Sequence, residues 1–122
     1  STDDAVRIRD AGVDAVYVSN HGGRQLDAAP AAIDMLPEIR QAVGADYPLI
    51  FDSGIRSGDG IVKALALGAD FVMLGRPFLY ASGADGQRGV YRLIELLKND
   101  MLLVLAQIGC IDISHLDQNV LA

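Results

Sequence analysis

A histidine and an arginine lie three residues apart in a glycine-rich segment, Ser19-Asn20-His21-Gly22-Gly23-Arg24-Gln25. Histidine can accept a proton near neutral pH, because small changes of environment move its pKa across that range. Arginine can hold a carboxylate through two parallel hydrogen bonds and so fix a substrate beside the histidine. A histidine in a loop is more often an ordinary hydrogen-bonding residue, but the neighbouring glycines and arginine favour catalysis. His21 is therefore a candidate base, and Arg24 is a candidate carboxylate ligand.

Two later segments have the composition of a phosphate site. Asp52-Ser53-Gly54-Ile55-Arg56 and Gly75-Arg76 each combine a glycine, whose backbone can approach a ligand closely, with an arginine. Ser57 begins a predicted helix, whose free N–H groups would also favour an anion. One such loop could equally contain turns and surface ion pairs. Two in succession favour a phosphate site.

All three segments follow a predicted strand. Short apolar runs with β-branched and aromatic residues predict buried strands at 15–18, 48–51 and 71–74. Helical spacing of apolar residues predicts helices at 2–11, 30–43, 57–67 and 90–108. We expect Thr2 to cap the first helix, Pro37 to kink or restart the second, and the last to be one amphipathic helix ending at Gly109.

Each predicted helix-to-strand joint contains a glycine followed by a small residue and an aspartate, at Gly12, Gly44 and Gly68. This repetition implies three βα units. Apolar strands that alternate with helices are typical of a parallel sheet, in a doubly wound fold or a (β/α)8 barrel. A barrel needs about 250 residues, so this chain would supply about half of one. Because active sites in such folds lie at the carboxyl ends of the strands, the three segments are expected to meet there.

The composition excludes several function classes. The net charge is −6 over 122 residues and the basic residues are scattered, which argues against nucleic-acid binding. Cys110 is the single cysteine, so no internal disulfide is possible, and a reducing compartment is expected. No metal site is predicted. We find no apolar run long enough for a membrane span and no signal-like start, so we expect a cytoplasmic protein. The chain starts at Ser1, directly on a helix-start signal, so a preceding segment is expected.

The seven-residue histidine segment is similar to the active-site signature of the FMN-dependent 2-hydroxy acid oxidoreductases, the glycolate oxidase, lactate oxidase or dehydrogenase, and mandelate dehydrogenase group. The segments at 52–56, 63–70 and 75–77 follow in the family's order and spacing. The resemblance runs over essentially the whole chain. It implies that residues 1–122 are the C-terminal half of a (β/α)8 TIM barrel, with about three strands and flanking helices, and that the N-terminal half is absent.

The resemblance also implies residue roles in oxidising a small L-2-hydroxy acid, of the lactate, glycolate or mandelate type, to the 2-oxo acid. His21 would take a proton, either from the α-carbon or from the hydroxyl as hydride passes to the flavin, and Arg24 would bind the carboxylate. Ser53 stands where many members have glycine, although some lactate- and mandelate-oxidising members have serine. The implied FMN-binding residues are Ser19, Asp52, Ser53, Gly54, Ile55, Arg56, Gly75 and Arg76.

In the family, a lysine that contacts the flavin just before this region, the tyrosines, a second arginine and an aspartate that orients the histidine complete the site. All of these would belong to the absent half, so the 122 residues alone are not expected to catalyse. A half barrel exposes sheet edges and an apolar interior. We therefore expect this chain to pair with the missing half-barrel segment or to form a homo-oligomer.

Two other interpretations stay open. A phosphate-binding barrel of the IMP dehydrogenase type has similar phosphate loops but uses a loop cysteine, whereas Cys110 follows the last helix and His21 to Arg24 has no counterpart there. The other interpretation is a half-barrel fragment that binds phosphate groups or a partner but catalyses no reaction. The sequence does not indicate which hydroxy acid is oxidised, or whether oxygen, a quinone or a cytochrome accepts the electrons.

Overall fold

The computed structural model describes residues 1–121, in which helices and parallel strands alternate. Three parallel strands pair in the order β1-β2-β3, with Val16 opposite Leu49 and Ile50 opposite Phe71. All three predicted strands are confirmed, although each is shorter than predicted. The elements are α1 (Thr2–Asp10), β1 (Val16–Val18), a 3₁₀ helix (His21–Gly23), α2 (Ala32–Val43), β2 (Leu49–Phe51), α3 (Gly58–Ala66), β3 (Phe71–Val72), α4 (Arg76–Gln107) and two 3₁₀ turns (Ile113–His115 and Gln118–Leu121).

The helices cover one face of the sheet, and the core lies between them. Leu49 and Phe51 of β2 and Leu36 of α2 are each 0% exposed. The alternate positions of the strands point the other way, and there Tyr17 is 49% and Phe71 61% exposed. An apolar but uncovered second face is what the inward-facing side of a barrel presents when only part of the barrel is considered.

Two expectations about the first helices are wrong. Ser1, not Thr2, caps α1: its hydroxyl accepts a hydrogen bond from the Asp4 N–H at 3.3 Å and donates to the Asp4 carboxylate at 2.9 Å. Asp4 is thus the partner of a reciprocal capping box, which a serine three residues earlier can form. Helix α2 runs through Pro37 without a break. Its neighbours Leu36 and Ile39 are buried in the core, and this packing outweighs the one hydrogen bond that proline removes.

The predicted last helix is confirmed over most of its range, but the structure adds an earlier helical arm and a bend that the sequence did not predict. It begins at Arg76, well before the predicted start, and its backbone leaves the helical region at Asp85 and Gly86. The turn is tight, because a Cβ atom on Gly89 would lie 2.0 Å from the carbonyl oxygen of Ala81. The predicted amphipathic segment is therefore the second arm of a bent element. Its end at Gly109, with φ +69°, is as expected.

Arg40 joins the amino-terminal ends of two strands. Its guanidinium donates to the carbonyl oxygens of Gly44 at 2.8 Å, Tyr47 at 2.7 Å and Gly68 at 2.8 Å. It also forms an ion pair with Asp70, whose carboxylate accepts the Leu49 N–H. Gly68 has φ +106°, and a Cβ atom there would lie 2.7 Å from Arg40 Cγ. All three predicted glycine joints have a positive φ, and at this one glycine also leaves room for the arginine.

We expect Arg40→Met to lower the free energy of unfolding by about 1–3 kcal/mol. The substitution removes the largely buried guanidinium, so the carbonyl oxygens that it binds lose their donors. Arg40→Lys is the matched control, since one ammonium retains the charge but cannot fork to several carbonyls. Denaturant unfolding of the full-length protein would measure both variants. A lysine variant as stable as the wild type would show that charge alone, and not the fork, is what matters.

Candidate active site

The three predicted segments lie together at the carboxyl edge of the sheet. They follow β1, β2 and β3, which run parallel, so the structure brings them to one edge as expected. A cleft of about 220 Å³, here called the histidine cleft, is lined by residues of all three segments. A second cleft of about 530 Å³, the loop cleft, shares part of this lining and adds Arg56. Lining residues of the histidine cleft include His21, Arg24, Asp52, Ser53, Gly54, Ile55, Gly75 and Arg76.

The backbone at His21 is in the left-handed region, with φ +55°. Gly22 and Gly23 follow with φ +68° and +77°, so three consecutive residues share this conformation. The segment is held by its own side chains: the His21 N–H donates to Ser19 Oγ at 3.1 Å, and the Gly22 N–H donates to Asn20 Oδ1 at 3.0 Å. A histidine that adopts this conformation is strained by about 1 kcal/mol or more. The imidazole is exposed at the cleft.

Ser53 connects the first segment to the second. Its hydroxyl accepts hydrogen bonds from the N–H groups of Asn20 at 3.1 Å and Gly22 at 3.2 Å. The same hydroxyl donates to Asp52 Oδ1 at 2.8 Å. Ser53 itself has φ +89°. The side chain of Ser53, a predicted FMN-binding residue, is thus hydrogen-bonded within the protein.

Asp52 is the acceptor at the centre of this group. Burial favours its neutral form, but hydrogen bonds from Ser19, Tyr17 and Ser53 and the charge of nearby His21 outweigh burial, so the pKa of Asp52 is lowered. Tyr17 donates to Asp52 Oδ2 at 2.6 Å, and this bond, with some desolvation, raises the pKa of Tyr17 to about 12. Sequence analysis missed Tyr17. The strand register would have indicated it. Tyr17 lies opposite Ile50, and Asp52, two residues after Ile50, points to the same face of the sheet.

The arginines of the three predicted segments form no ion pair within residues 1–121. Salt bridges there engage Arg7, Arg9, Arg40, Lys63 and Arg88, and none engages Arg24, Arg56 or Arg76. Within these residues, no ion pair supports the interpretation of Arg56 and Arg76 as surface ion-pair partners. In a chain with a net charge of −6, three unpaired guanidiniums at one edge make a local site for anions.

Backbone donors accompany these guanidiniums. Among the described residues, the N–H groups of Gly54, Ile55 and Arg56 donate to no protein acceptor. Successive amides without acceptors, beside a guanidinium, form a concavity suited to a phosphate. Arg76 reaches across to the first segment, since a Cβ atom on Gly22 would lie 3.0 Å from Arg76 Nη2.

The expected anion site at the start of α3 needs correction. The N–H of Gly58 donates to Asp100 Oδ2 at 2.6 Å, and that of Gly60 donates to Ser57 Oγ at 3.2 Å. These two helix-start donors are already used, whereas the N–H groups of Gly54, Ile55 and Arg56 in the loop before the helix have no acceptor among the described residues. Asp100 comes from α4, which packs so closely that a Cβ atom on Gly58 would lie 2.4 Å from Met101 N. No local signal in the sequence could reveal this carboxylate.

We expect Asp52 to make the fold sensitive to acid. Its folded pKa is below the ordinary value of 3.8, so its stabilising contribution is complete above that value and is lost as the pH falls through the folded pKa. Stability measured against pH for the full-length protein should therefore fall more steeply below about pH 4 in the wild type than in Asp52→Asn. If stability fell equally below about pH 4 in both proteins, ionisation of Asp52 would not contribute to the stability of the fold.

Comparisons with known proteins agree on a family. A family model described as FMN-dependent dehydrogenase matches residues 1–122. The chain is 48% identical over 120 residues to an L-lactate oxidase of Lactobacillus jensenii, and 45% identical over 117 residues to a peroxisomal (S)-2-hydroxyacid oxidase of Arabidopsis thaliana. Each match covers 96% of this chain. It also superposes on a soluble mutant of the membrane-associated (S)-mandelate dehydrogenase from Pseudomonas putida, with a TM-score of 0.94 and 48% identity over 98% of this chain.

The chain spans about a third of the length of these relatives, 29% of the lactate oxidase, 32% of the plant oxidase and 34% of the mandelate dehydrogenase chain. The predicted fold class, part of a (β/α)8 barrel, is confirmed. The relatives do not share one location, since one is peroxisomal and another is a monotopic membrane protein, so a cytoplasmic location stays a prediction. Within residues 1–121, no helix has the length and apolarity needed to cross a membrane.

The carboxyl-edge histidine, the unpaired arginines and the loop amides thus occur in a chain whose sequence matches one family model from end to end and whose backbone superposes on a solved relative. The comparisons give no support to the IMP dehydrogenase interpretation. This chain belongs to the FMN-dependent dehydrogenase family.

Proposed function

We propose that the protein containing this chain oxidises a small L-2-hydroxy acid, of the lactate, glycolate or mandelate type, to the 2-oxo acid with FMN as cofactor. One observation carries the proposal: His21, Arg24, Gly54, Gly75 and Arg76 line a single cleft. A proton acceptor, a carboxylate ligand and phosphate ligands are the groups that this reaction requires in one pocket.

The residues present fit FMN. The loop amides of Gly54 to Arg56, with the guanidiniums of Arg56 and Arg76 and the backbone of Gly75, would hold the phosphate. Asp52 is ionised near neutral pH and has acceptor capacity left for ribityl hydroxyls, while Ser19 and the backbone of Ser53 lie beside it. When bound, FMN would supply the two-electron acceptor that the side chains of this chain lack.

His21 would take the substrate proton, from the α-carbon or from the hydroxyl, and nothing in the chain favours either. The Asp52 carboxylate lies near enough to His21 for the charge of the histidine to favour its ionised form. Arg24 would orient the substrate by holding its carboxylate, and its guanidinium has no competing ion pair within residues 1–121.

Turnover would need more chain than these 122 residues, because the relatives are about three times as long. The exposed inner face, with Phe71 61% and Met73 44% exposed, is where a further barrel segment or a second copy would pack. A homo-oligomer and a cytoplasmic location remain predictions.

The test uses the purified full-length protein. We expect a flavin absorption spectrum that bleaches when an L-2-hydroxy acid such as lactate, glycolate or mandelate is added without oxygen. His21→Gln should retain the flavin but slow bleaching by about 10²–10⁴-fold, because the base is lost. His115→Gln, which changes the other histidine, is the matched control and should behave as wild type. A colourless protein that takes up no FMN, or normal bleaching in His21→Gln, would overturn the proposal.

For Arg24→Met we expect kcat/KM to fall by about 10²-fold or more with the flavin still bound, since a charge-assisted bidentate contact to the carboxylate is removed. Arg24→Lys should recover part of the loss, because it restores a charge but not the fork. Arg92 is another arginine outside the salt bridges of residues 1–121, and it lies on α4, so Arg92→Met is the matched control. Equal kinetics for the Arg24 and Arg92 variants would contradict the role of Arg24.

A further inference from the structure

We propose that Ser53 is a positioning residue for His21: its hydroxyl ties down the two backbone amides on either side of the histidine and so fixes where the imidazole projects. The inference rests on the proposed function for its catalytic consequence. The hydrogen bonds from the Asn20 and Gly22 amides to the Ser53 hydroxyl, here called the tie, are present in the chain whatever its function.

The hydrogen bonds of the Ser53 hydroxyl account for its full capacity. A hydroxyl has one donor and two acceptor positions. The acceptor positions are used by the N–H groups of Asn20 at 3.1 Å and Gly22 at 3.2 Å, and the donor by Asp52 Oδ1 at 2.8 Å. The Ser53 side chain therefore has no capacity left for the cofactor, and any contact it makes there is through its backbone.

The backbone gives a second, independent reason. Among residues 1–121, His21 and Ser53 are the two non-glycine residues with positive φ, at +55° and +89°. Such conformations persist where the surrounding structure over-determines them, and they concentrate at functional sites. Here the hydroxyl of one unfavourable residue, Ser53, accepts hydrogen bonds from the two residues that flank the other, His21. Glycine would relieve the strain at position 53 but would lose the hydroxyl that holds the histidine segment.

Asp52 sets the direction of the tie. Its Oδ1 accepts from Ser53 and its Oδ2 accepts from Tyr17 at 2.6 Å. Because the carboxylate is held from both sides, the Ser53 O–H points at Asp52, and its lone pairs turn toward the two amides. The position of His21 is thereby coupled to the end of strand β2 and not to the exposed residues that follow His21 in the chain.

The experiment compares Ser53→Gly and Ser53→Ala in the full-length protein. Both variants should bind FMN within about twofold of wild type and bind the hydroxy acid with little change. In both, flavin reduction at saturating substrate should slow by about 10- to 100-fold, because a base displaced by a fraction of an ångström is less effective. Glycine suits φ +89° and alanine does not, so the alanine variant should unfold more easily. Equal rate losses despite unequal stabilities would assign the effect to the hydroxyl.

Ser57→Ala is the matched control, since that hydroxyl also accepts a backbone N–H, from Gly60, but forms no hydrogen bond with the histidine segment within residues 1–121. It should reduce flavin at the wild-type rate. If instead Ser53→Gly weakened FMN binding and the loaded variant reacted at the wild-type rate, Ser53 would be a cofactor contact and the inference would be overturned.

Amide hydrogen exchange tests the tie without any turnover. Exchange at Asn20, whose N–H donates to the Ser53 hydroxyl, should be faster in both Ser53 variants than in wild type and in Ser57→Ala, and unchanged exchange there would overturn the inference. The Gly22 N–H keeps Asn20 Oδ1 as a second acceptor at 3.0 Å, so a smaller change is expected at Gly22. A wild type that reduces no flavin while exchange at Asn20 still depends on Ser53 would overturn the proposed function and support the tie.

Discussion

The parallel pairing of β1, β2 and β3 is the constraint on which the candidate site depends. The ladder continues past the strand ends, since the Asp52 N–H donates to Val18 O at 3.2 Å and the Met73 N–H donates to Phe51 O at 2.8 Å. These bonds fix the first residue of each loop relative to its neighbour. A slip of one residue would turn Tyr17 and Asp52 toward the helix layer and dismantle the group around His21.

The arginines at the two edges of the sheet differ in whether they have protein partners within residues 1–121. At the amino edge, Arg40 is neutralised by Asp70 and by backbone carbonyls, which makes it a structural clamp. At the carboxyl edge, Arg24, Arg56 and Arg76 have no such partners within residues 1–121. Guanidiniums left without carboxylates in an acidic chain keep their full attraction for an incoming anion. This asymmetry matches the general division of barrels into a stability face and an active face.

Local rules predicted the elements well and their ends less well. Apolar runs and helical spacing located all three strands and the helices between them. The errors came where a longer-range contact outweighed a local preference: buried Leu36 and Ile39 hold α2 together across Pro37, and the turn at Asp85 and Gly86 bends the last helix. The cap of α1 was missed by one residue because Ser1 and Thr2 are both good caps, and only the position of Asp4 distinguishes them.

The sequence by itself determined which residue types follow each strand, and therefore that a histidine, three arginines and several glycines meet at one edge. It did so because strand direction and the order of elements are local properties. Only the tertiary structure decided how those groups connect. Ser53 binds amides 33 and 31 residues away, Tyr17 binds a carboxylate 35 residues away, and Asp100 reaches the start of a helix across 42 residues. Such contacts depend on strand register and on positive φ angles, which no short-range pattern of residue types specifies.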